Sequence, residues 1–373
     1  MLVVITALFL QNLRHISAMS PGFDVGHIAL IAIHPQSSGA DQTKISVVQR
    51  LDALASLPGV ENATVASSVP LTMSTGNSVD LRAADQKSSA QLQGEPMWVG
   101  PKYFSTMEIP VLAGREFGLA DKPGTPDVAI LNQTLAKRMF PNRNPVGQRI
   151  TVQEDQKEQS YEIVGVVQDS KYGTLGEAPH PAFFLPFLQI ATPGQSLNLF
   201  VRTAGSPERF RAEIQAAMRQ SDPASFIQVT SMSENLETVL LPGRVATALL
   251  SLIGLLAAVL ALAGVYGIVD YSVGRRTSEI GVRMAVGASR LGVLALILRD
   301  TLRTILPGML TGLLFASVLT KLIQAFLAFG THIADPIEWL GVISFLLTIG
   351  LVAALAPALR AARLDPLIAL RYE

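Results

Sequence analysis

The longest apolar run, Val245 to Val269, holds 25 consecutive residues without Asp, Glu, Lys, Arg or His. At a helical rise of ~1.5 Å per residue it exceeds a ~30 Å hydrocarbon layer, so a transmembrane helix is predicted over 245–271. Two further runs, 304–329 and 339–359, predict spans of the same kind, the second opened by the interfacial Trp339. Between the first two lies a segment too polar for lipid yet strongly patterned. At 100° per residue Arg276, Glu279 and Arg283 share one narrow arc of a helix, and Ile280 and Met284 form an adjoining apolar ridge. Gly287 is placed to stop that helix and Ser289 to cap the next.

Upstream the rhythm changes. His27 to Ile33 alternates and reads as a strand, and Thr43 to Ser56 sets Val47, Val48, Leu51, Leu54 and Ala55 on one helical face. Leu57-Pro58-Gly59 ends that helix before a strand over 60–69. A second β-α-β unit follows later, with strands at 161–168 and 197–202. Its helix is capped by Ser206-Pro207 and turns Phe210, Ile214, Ala217 and Met218 inward, and its last strand covers 226–230. The two units predict a mixed sheet with helices on one face, interrupted by an insertion over about 96–155 that is rich in Pro, Gly and short apolar runs.

The apolar stretch Leu2 to Leu10 is half the length of a span, and no Lys or Arg precedes it, which weakens a signal-peptide reading. By its length it reads as a partial first transmembrane helix over 1–13 or else as a short interfacial anchor. The fold class expected is therefore a membrane protein. It has an α-helical transmembrane bundle of three full helices plus a partial N-terminal one, and an inserted α+β extracytoplasmic domain over 14–243.

Composition agrees, with 49% hydrophobic and only 16% charged residues. Residues 1–243 carry 18 Lys and Arg against 22 Asp and Glu, and residues 244–373 carry 11 against 7. That balance argues against a nucleic-acid partner. Six arginines lie in 272–303, none in 331–338 and three from 360 onward, so the long loop and the tail are expected in the cytoplasm and the 14–242 domain outside. Lys321 reads as a snorkelling residue rather than a charge on a transport path.

The chain has no cysteine and no Gly-x-x-x-x-Gly-Lys-Ser/Thr loop to cradle ATP phosphates. Its five histidines, His15, His27, His34, His180 and His332, lack ligand spacing, so no metal, cofactor or catalytic residue is expected. The sequons at Asn62 and Asn132 are read as chance.

The stretch Tyr266 to Ser289, containing Arg276-x-x-Glu279-Ile280-Gly281-x-Arg283-x-x-x-Gly287-Ala288, resembles the first cytoplasmic loop of FtsX-like permeases. These are the membrane subunits of ABC systems of the macrolide-exporter and lipoprotein-release type. The phrases Tyr103 to Phe117, Met139 to Gly147 and Tyr161 to Val167 resemble the MacB-like periplasmic core domain of the same exporters. The ending from Pro357 to Glu373 matches as well, and the junction Ser20-Pro21-Gly22-Phe23-Asp24 resembles a branch in which the permease module is duplicated, this chain corresponding to its C-terminal module. Gly114, Gly147 and Gly165 are expected to serve turns and close packing rather than a ligand.

The resemblance implies that Arg276, Glu279, Ile280, Arg283, Met284 and Gly287 form a coupling helix docked on a separate cytoplasmic ABC ATPase. It further implies a permease domain over 244–373, a second permease half or a homodimer, contact with membrane lipid, and a multi-pass location in the bacterial inner membrane. The function expected is a mechanical relay of ATP-driven motion to the periplasmic domain. Two rivals stand beside it. The chain is a sensory or scaffolding membrane protein whose external domain binds a ligand without an ATPase, or a degenerate fragment of a duplicated permease. From pattern alone, the arginines of 276–283 serve equally as topology signals on a surface-lying helix.

Overall fold

The computed structural model describes residues 6, 14, 19–33, 40–72, 78–83, 92–154, 157–189, 197–221, 227–327 and 336–362. The chain divides into two compact units, residues 18–241 and residues 1–17 with 242–373.

The first unit is built on one sheet, and its strands fall into two lobes. In the first lobe β1 (Ile28–Ile33) pairs antiparallel with β10 (Leu197–Thr203) and with β11 (Val229–Ser231), and β10 pairs with β2 (Val60–Ala66). Helices α1 (Ala40–Ala55) and α4 (Arg211–Ser221) supply Val47, Leu54, Ile214 and Met218 to a core that Ala29, Ile31, Leu199 and Val201 complete from the sheet. Of the face predicted for α1, Val47 and Leu54 are buried, Val48 and Leu51 are half-buried with Leu51 against the same core, and Ala55 is exposed. Ser206 does not cap α4. A short 3-10 turn over Pro207–Arg209 precedes that helix, and the Ser206 hydroxyl engages the Glu208 carboxylate instead.

The second lobe is a closed circuit of strands. Its members are β4 (Leu92–Val99), β3 (Val79–Ala83), β7 (Arg149–Glu154), β8 (Lys157–Val167), β6 (Val128–Asn132) and β9 (Ala182–Pro186), and β9 returns to pair with β4 in parallel. Every residue of β6 and β9 is buried, as strands covered on both faces require. Asn132 ends β6 and caps α3 (Gln133–Met139). Its Oδ1 accepts from Leu135 N at 2.9 Å and Ala182 N at 3.1 Å, and its Nδ2 donates to the His180 carbonyl at 2.7 Å. A fully buried cap offers no glycosylation site.

This circuit moves two sequence assignments. The second lobe runs from Val79 to Pro186, wider than the 96–155 insertion, and β8 belongs to it rather than to a β-α-β unit with β10. Alternation marks a strand but does not name its partner. The short strand β5 (Val111–Gly114) pairs with β8 so closely that Gly114 and Gly165 stand opposite each other. A Cβ on Gly165 would lie 2.4 Å from the Arg115 carbonyl oxygen, so this glycine serves close backbone packing.

Arg202, on β10, is only 8% exposed and ties four segments together. It donates to Glu61 at 3.1 Å, to Asp24 at 2.8 Å, to the Thr106 carbonyl at 2.8 Å and to Glu108, the last two at the end of α2 (Tyr103–Met107). A buried guanidinium is tolerated only when its donors are used, and here Nε, Nη1 and Nη2 all find acceptors.

In the second unit, helices α5 (Met232–Arg275), α7 (Arg290–Leu327) and α8 (Pro336–Ala362) are long and apolar enough to cross a membrane, the first ten residues of α5 belonging to the other unit. Each extends beyond its apolar run. Residues 290–303, expected in the loop between spans, belong to α7, which is helical from Arg290 onward. Gly350, Ala354 and Ala358 recur every four residues on α8, and a Cβ on Gly350 would lie 2.8 Å from Ile305 Cδ1. Small residues at that spacing let the helix backbones approach. In the run at 2–10, Thr6 is helical and its hydroxyl donates to the Leu250 carbonyl at 2.8 Å. The rest of that run, the side chain of Lys321, residues 328–335 and the 363–373 ending lie outside the described residues.

Candidate functional site

The patterned segment that follows α5 forms its own short helix, α6 (Thr277–Ala285). Arg275 closes α5 with its guanidinium 5.5 Å from the centre of the Tyr271 ring. Arg276 then breaks the helix, with φ −107° and ψ 14°, and α6 begins at the next residue. Arg276 is thus a corner residue and not part of the helical arc expected for it. Its Nη1 donates to Asp300 Oδ2 of α7 at 3.0 Å.

Glu279 lies in the first turn of α6 and Arg283 in the last, the arrangement the helix dipole favours. Four residues apart, they meet at 2.6 Å. The C-terminus is a Schellman motif: Gly287 N donates to the Met284 carbonyl at 3.1 Å and Ala288 N to the Arg283 carbonyl at 2.9 Å. Gly287 sits at φ +102°, which an L side chain rarely adopts. Ser289 then caps α7, its hydroxyl accepting from Gly292 N at 3.1 Å.

The apolar ridge has a different neighbour from the one its pattern implies. Ile280, 5% exposed, packs among Val269 of α5, Val293 and Ile297 of α7 and Ala354 and Ala358 of α8, with Met284 partly buried against the same cluster. In this structure Ile280 and Met284 therefore hold α6 to its own bundle. The outward face presents Glu279, Val282, Arg283 and Val286, the last 84% exposed. A cleft of about 420 Å³ opens between α5, α6 and α7, with Arg276, Glu279, Arg283, Asp300 and Arg303 around its polar end.

Asp300 was invisible to pattern reading, being 24 residues from Arg276 on another helix. Its signal was its isolation as an acid within a basic and apolar stretch. Among the described residues no group of three or more acidic or histidine side chains is gathered to hold a metal ion.

Comparison with known families places these features. Residues 1–217 match the model of the MacB-like periplasmic core domain, and residues 251–366 that of the FtsX-like permease C-terminal domain. The chain belongs to this family. It is an ABC-type permease with a MacB-like periplasmic domain, of a class that works with an ATPase. A macrolide export ATP-binding/permease protein MacB from an Azoarcus species is 27% identical over 357 residues, covering 91% of this permease and 50% of that protein. An uncharacterized ABC transporter permease YknZ of Bacillus subtilis is 27% identical over 309 residues, covering 80% of this permease and 74% of that one. A probable syringafactin export ATP-binding/permease protein SyfD of Pseudomonas syringae pv. tomato is 28% identical over 310 residues, covering 80% and 44%. The permease thus spans about half the length of the ATP-binding/permease relatives it matches.

Proposed function

We propose that this permease relays ATP-driven motion from a separate cytoplasmic ATPase subunit to its MacB-like domain. Its spans cross the inner membrane several times, and the 18–241 unit lies in the periplasm. The observation that carries this reading is the one-sided burial of α6. Ile280 and Met284 fasten one side to α5, α7 and α8, while Glu279, Val282, Arg283 and Val286 are exposed on the other, Glu279 paired with Arg283. A helix anchored on one side and open on the other transmits force from whatever grips its open side. Within these 373 residues no phosphate-cradling loop occurs, so hydrolysis lies outside this stretch.

The work is done on something outside the membrane rather than through a polar path. Val245 to Val269 of α5 carries no charge, and such a helix offers a solute no obvious route. Leu249, Leu252, Leu255, Val259 and Leu260 of α5 are exposed. In a membrane they face lipid or a second permease half, either another chain or a second copy of this one. The 27% and 28% identical exporters act, by their names, on macrolides and syringafactin, and the substrate class here is an amphiphile handled in the periplasm.

The test is copurification of the permease with its cognate ATPase and the stimulation of ATP hydrolysis by the permease. Val286→Asp and Arg283→Glu are expected to lose both, with membrane insertion unchanged. Full stimulation retained in both variants would show that the ATPase does not grip this face and that its arginines only set topology; a parent chain that neither copurifies with nor stimulates an ATPase would be a membrane receptor or scaffold.

A further inference from the structure

The cleft between α5, α6 and α7 has two ends of opposite character. Its polar end gathers Arg276, Arg283 and Arg303 against Glu279 and Asp300, an excess of one positive charge among its ionisable lining residues. Its other end is walled by Val265 and Ile268 of α5 and Ile305 of α7. Chain direction orders the two ends. Val265 and Ile268 lie before the Arg276 corner, inside the uncharged run of α5, and Ile305 lies beyond Asp300 on α7, inside the apolar part of that helix. The cleft therefore passes from the polar rim of the bundle into its lipid-facing part. Ile268 is 59% exposed, so the passage opens sideways.

The charges at the rim are unequally used. Glu279 is taken by Arg283, and Asp300 by Arg276 at 3.0 Å. Arg303 has the weakest hold, 3.7 Å from Asp300, and its side chain is 66% exposed. Two hydroxyls nearby are already committed, Thr301 to the Ile297 carbonyl at 2.9 Å and Thr304 to the Asp300 carbonyl at 3.1 Å. What is left over is guanidinium donor capacity at the boundary between water and hydrocarbon, above an apolar channel.

We propose that this cleft binds an anionic phospholipid, its phosphodiester at Arg303 and Arg283 and the start of an acyl chain along Val265, Ile268 and Ile305. Guanidinium matches phosphate in charge and geometry, and basic pockets between spans on the cytoplasmic side take anionic headgroups. A volume of about 420 Å³ admits a headgroup and the first part of a chain, and the lateral opening leaves the remainder in the bilayer. The free phosphate group offers the same charge without the chain, and the apolar wall favours the lipid. This inference rests on the cytoplasmic placement of α6 proposed above and not on ATPase docking.

The experiment is native mass spectrometry of the full chain, purified without ATPase in a neutral detergent. It is titrated with phosphatidylglycerol, phosphatidylethanolamine and the water-soluble headgroup glycerophosphoglycerol. Phosphatidylglycerol is expected to be retained at concentrations about fivefold lower than phosphatidylethanolamine, the effect of one basic group near a membrane surface. Arg303→Gln and, separately, Arg283→Gln should each lose most of that preference, and Arg290→Gln, outside the cleft, should keep it. Undiminished retention of phosphatidylethanolamine reports an intact fold, and if one variant fails that check the other decides. Equal retention of the two lipids by the parent, or an unchanged preference in the folded variants, would overturn the proposal. Equally effective binding of glycerophosphoglycerol would overturn it too, by showing a site for a free anion.

Discussion

Arg276 and Asp300, 24 residues apart, meet at 3.0 Å and fix the corner between α5 and α6 to the side of α7. Both side chains are about half exposed, so the pair contributes under ~1 kcal/mol to stability. Its consequence is geometric. The corner sets where α6 begins, and the ion pair holds that corner against the span on which Ile280 rests. Asp300→Asn should leave expression and insertion unchanged while lowering permease-stimulated ATP hydrolysis about two- to fivefold. The exchanged pair, Arg276→Asp with Asp300→Arg, should recover most of the loss. Failure of the exchange to recover any of it would show that the pairing itself is not what matters.

Ile280 gives a sharper case, because its side chain is expected to act without touching the ATPase. Ile280→Ala removes a buried side chain from the cluster of Val269, Val293, Ile297, Ala354 and Ala358, a loss of ~2 to 5 kcal/mol in a well-packed site. Detachment of α6 should speed tryptic cleavage at Arg276 and Arg283 and reduce coupling, although the outward face is unaltered. Val282→Ala, on that face, should leave cleavage at the parental rate.

The periplasmic unit has its own weak point in the contact of β5 with β8. Gly165→Ala places a Cβ 2.4 Å from a carbonyl oxygen that neither strand can move, and the expected cost is ~1 to 3 kcal/mol. Gly147, at φ +85° with nothing near its missing Cβ, should tolerate alanine at a cost of ~1 to 2 kcal/mol from backbone strain alone. Thermal unfolding of the purified protein ranks the two, and a larger loss at Gly147 would contradict the packing argument.

Stability should also depend on pH through His180. Its hydrogen bond to Glu95 at 3.2 Å, with Glu177 nearby, raises its pKa above the usual histidine value. A raised folded-state pKa stabilises fully below the unfolded value of ~6.5, and the contribution disappears as pH rises through the folded value. The second lobe should therefore lose stability on going from about pH 6 upward, and His180→Gln should flatten that slope. Asp121 works in the opposite range. Burial alone would raise its pKa, but two bonds from Arg115 and one from Gly118 N hold it lowered, so its contribution is lost only in acid, as pH falls through that lowered pKa.

Three spans, a domain rich in β structure and the stop at Gly287 were all legible in the sequence, because each follows from local pattern: an uncharged run, period-two alternation, a glycine after a periodic stretch. Partners were not. The pattern of α6 marks Ile280 and Met284 as an apolar ridge, and only the fold decides that the ridge meets α5, α7 and α8. Likewise β8 reads plainly as a strand, yet its place in a closed circuit depends on strands spread from Val79 to Pro186. Arg202 carries no local signal at all, since its four acceptors come from segments spread over residues 24 to 108. Asp300 is marked in the sequence only as a lone acid in a basic and apolar stretch, and its partner 24 residues away is set by the fold.

The central claim is that the outward face of α6 is what the ATPase grips, with Ile280 turned away from it. Photo-crosslinking tests it most directly. A photoreactive amino acid is placed at Val286, Val282 or Ile280 of the full chain, which is irradiated in membranes together with its cognate ATPase. The account predicts permease–ATPase adducts from Val286 and Val282 and none from Ile280. Adducts from Ile280 with none from Val286 would contradict it, by showing that the ridge, and not the exposed face, meets the partner.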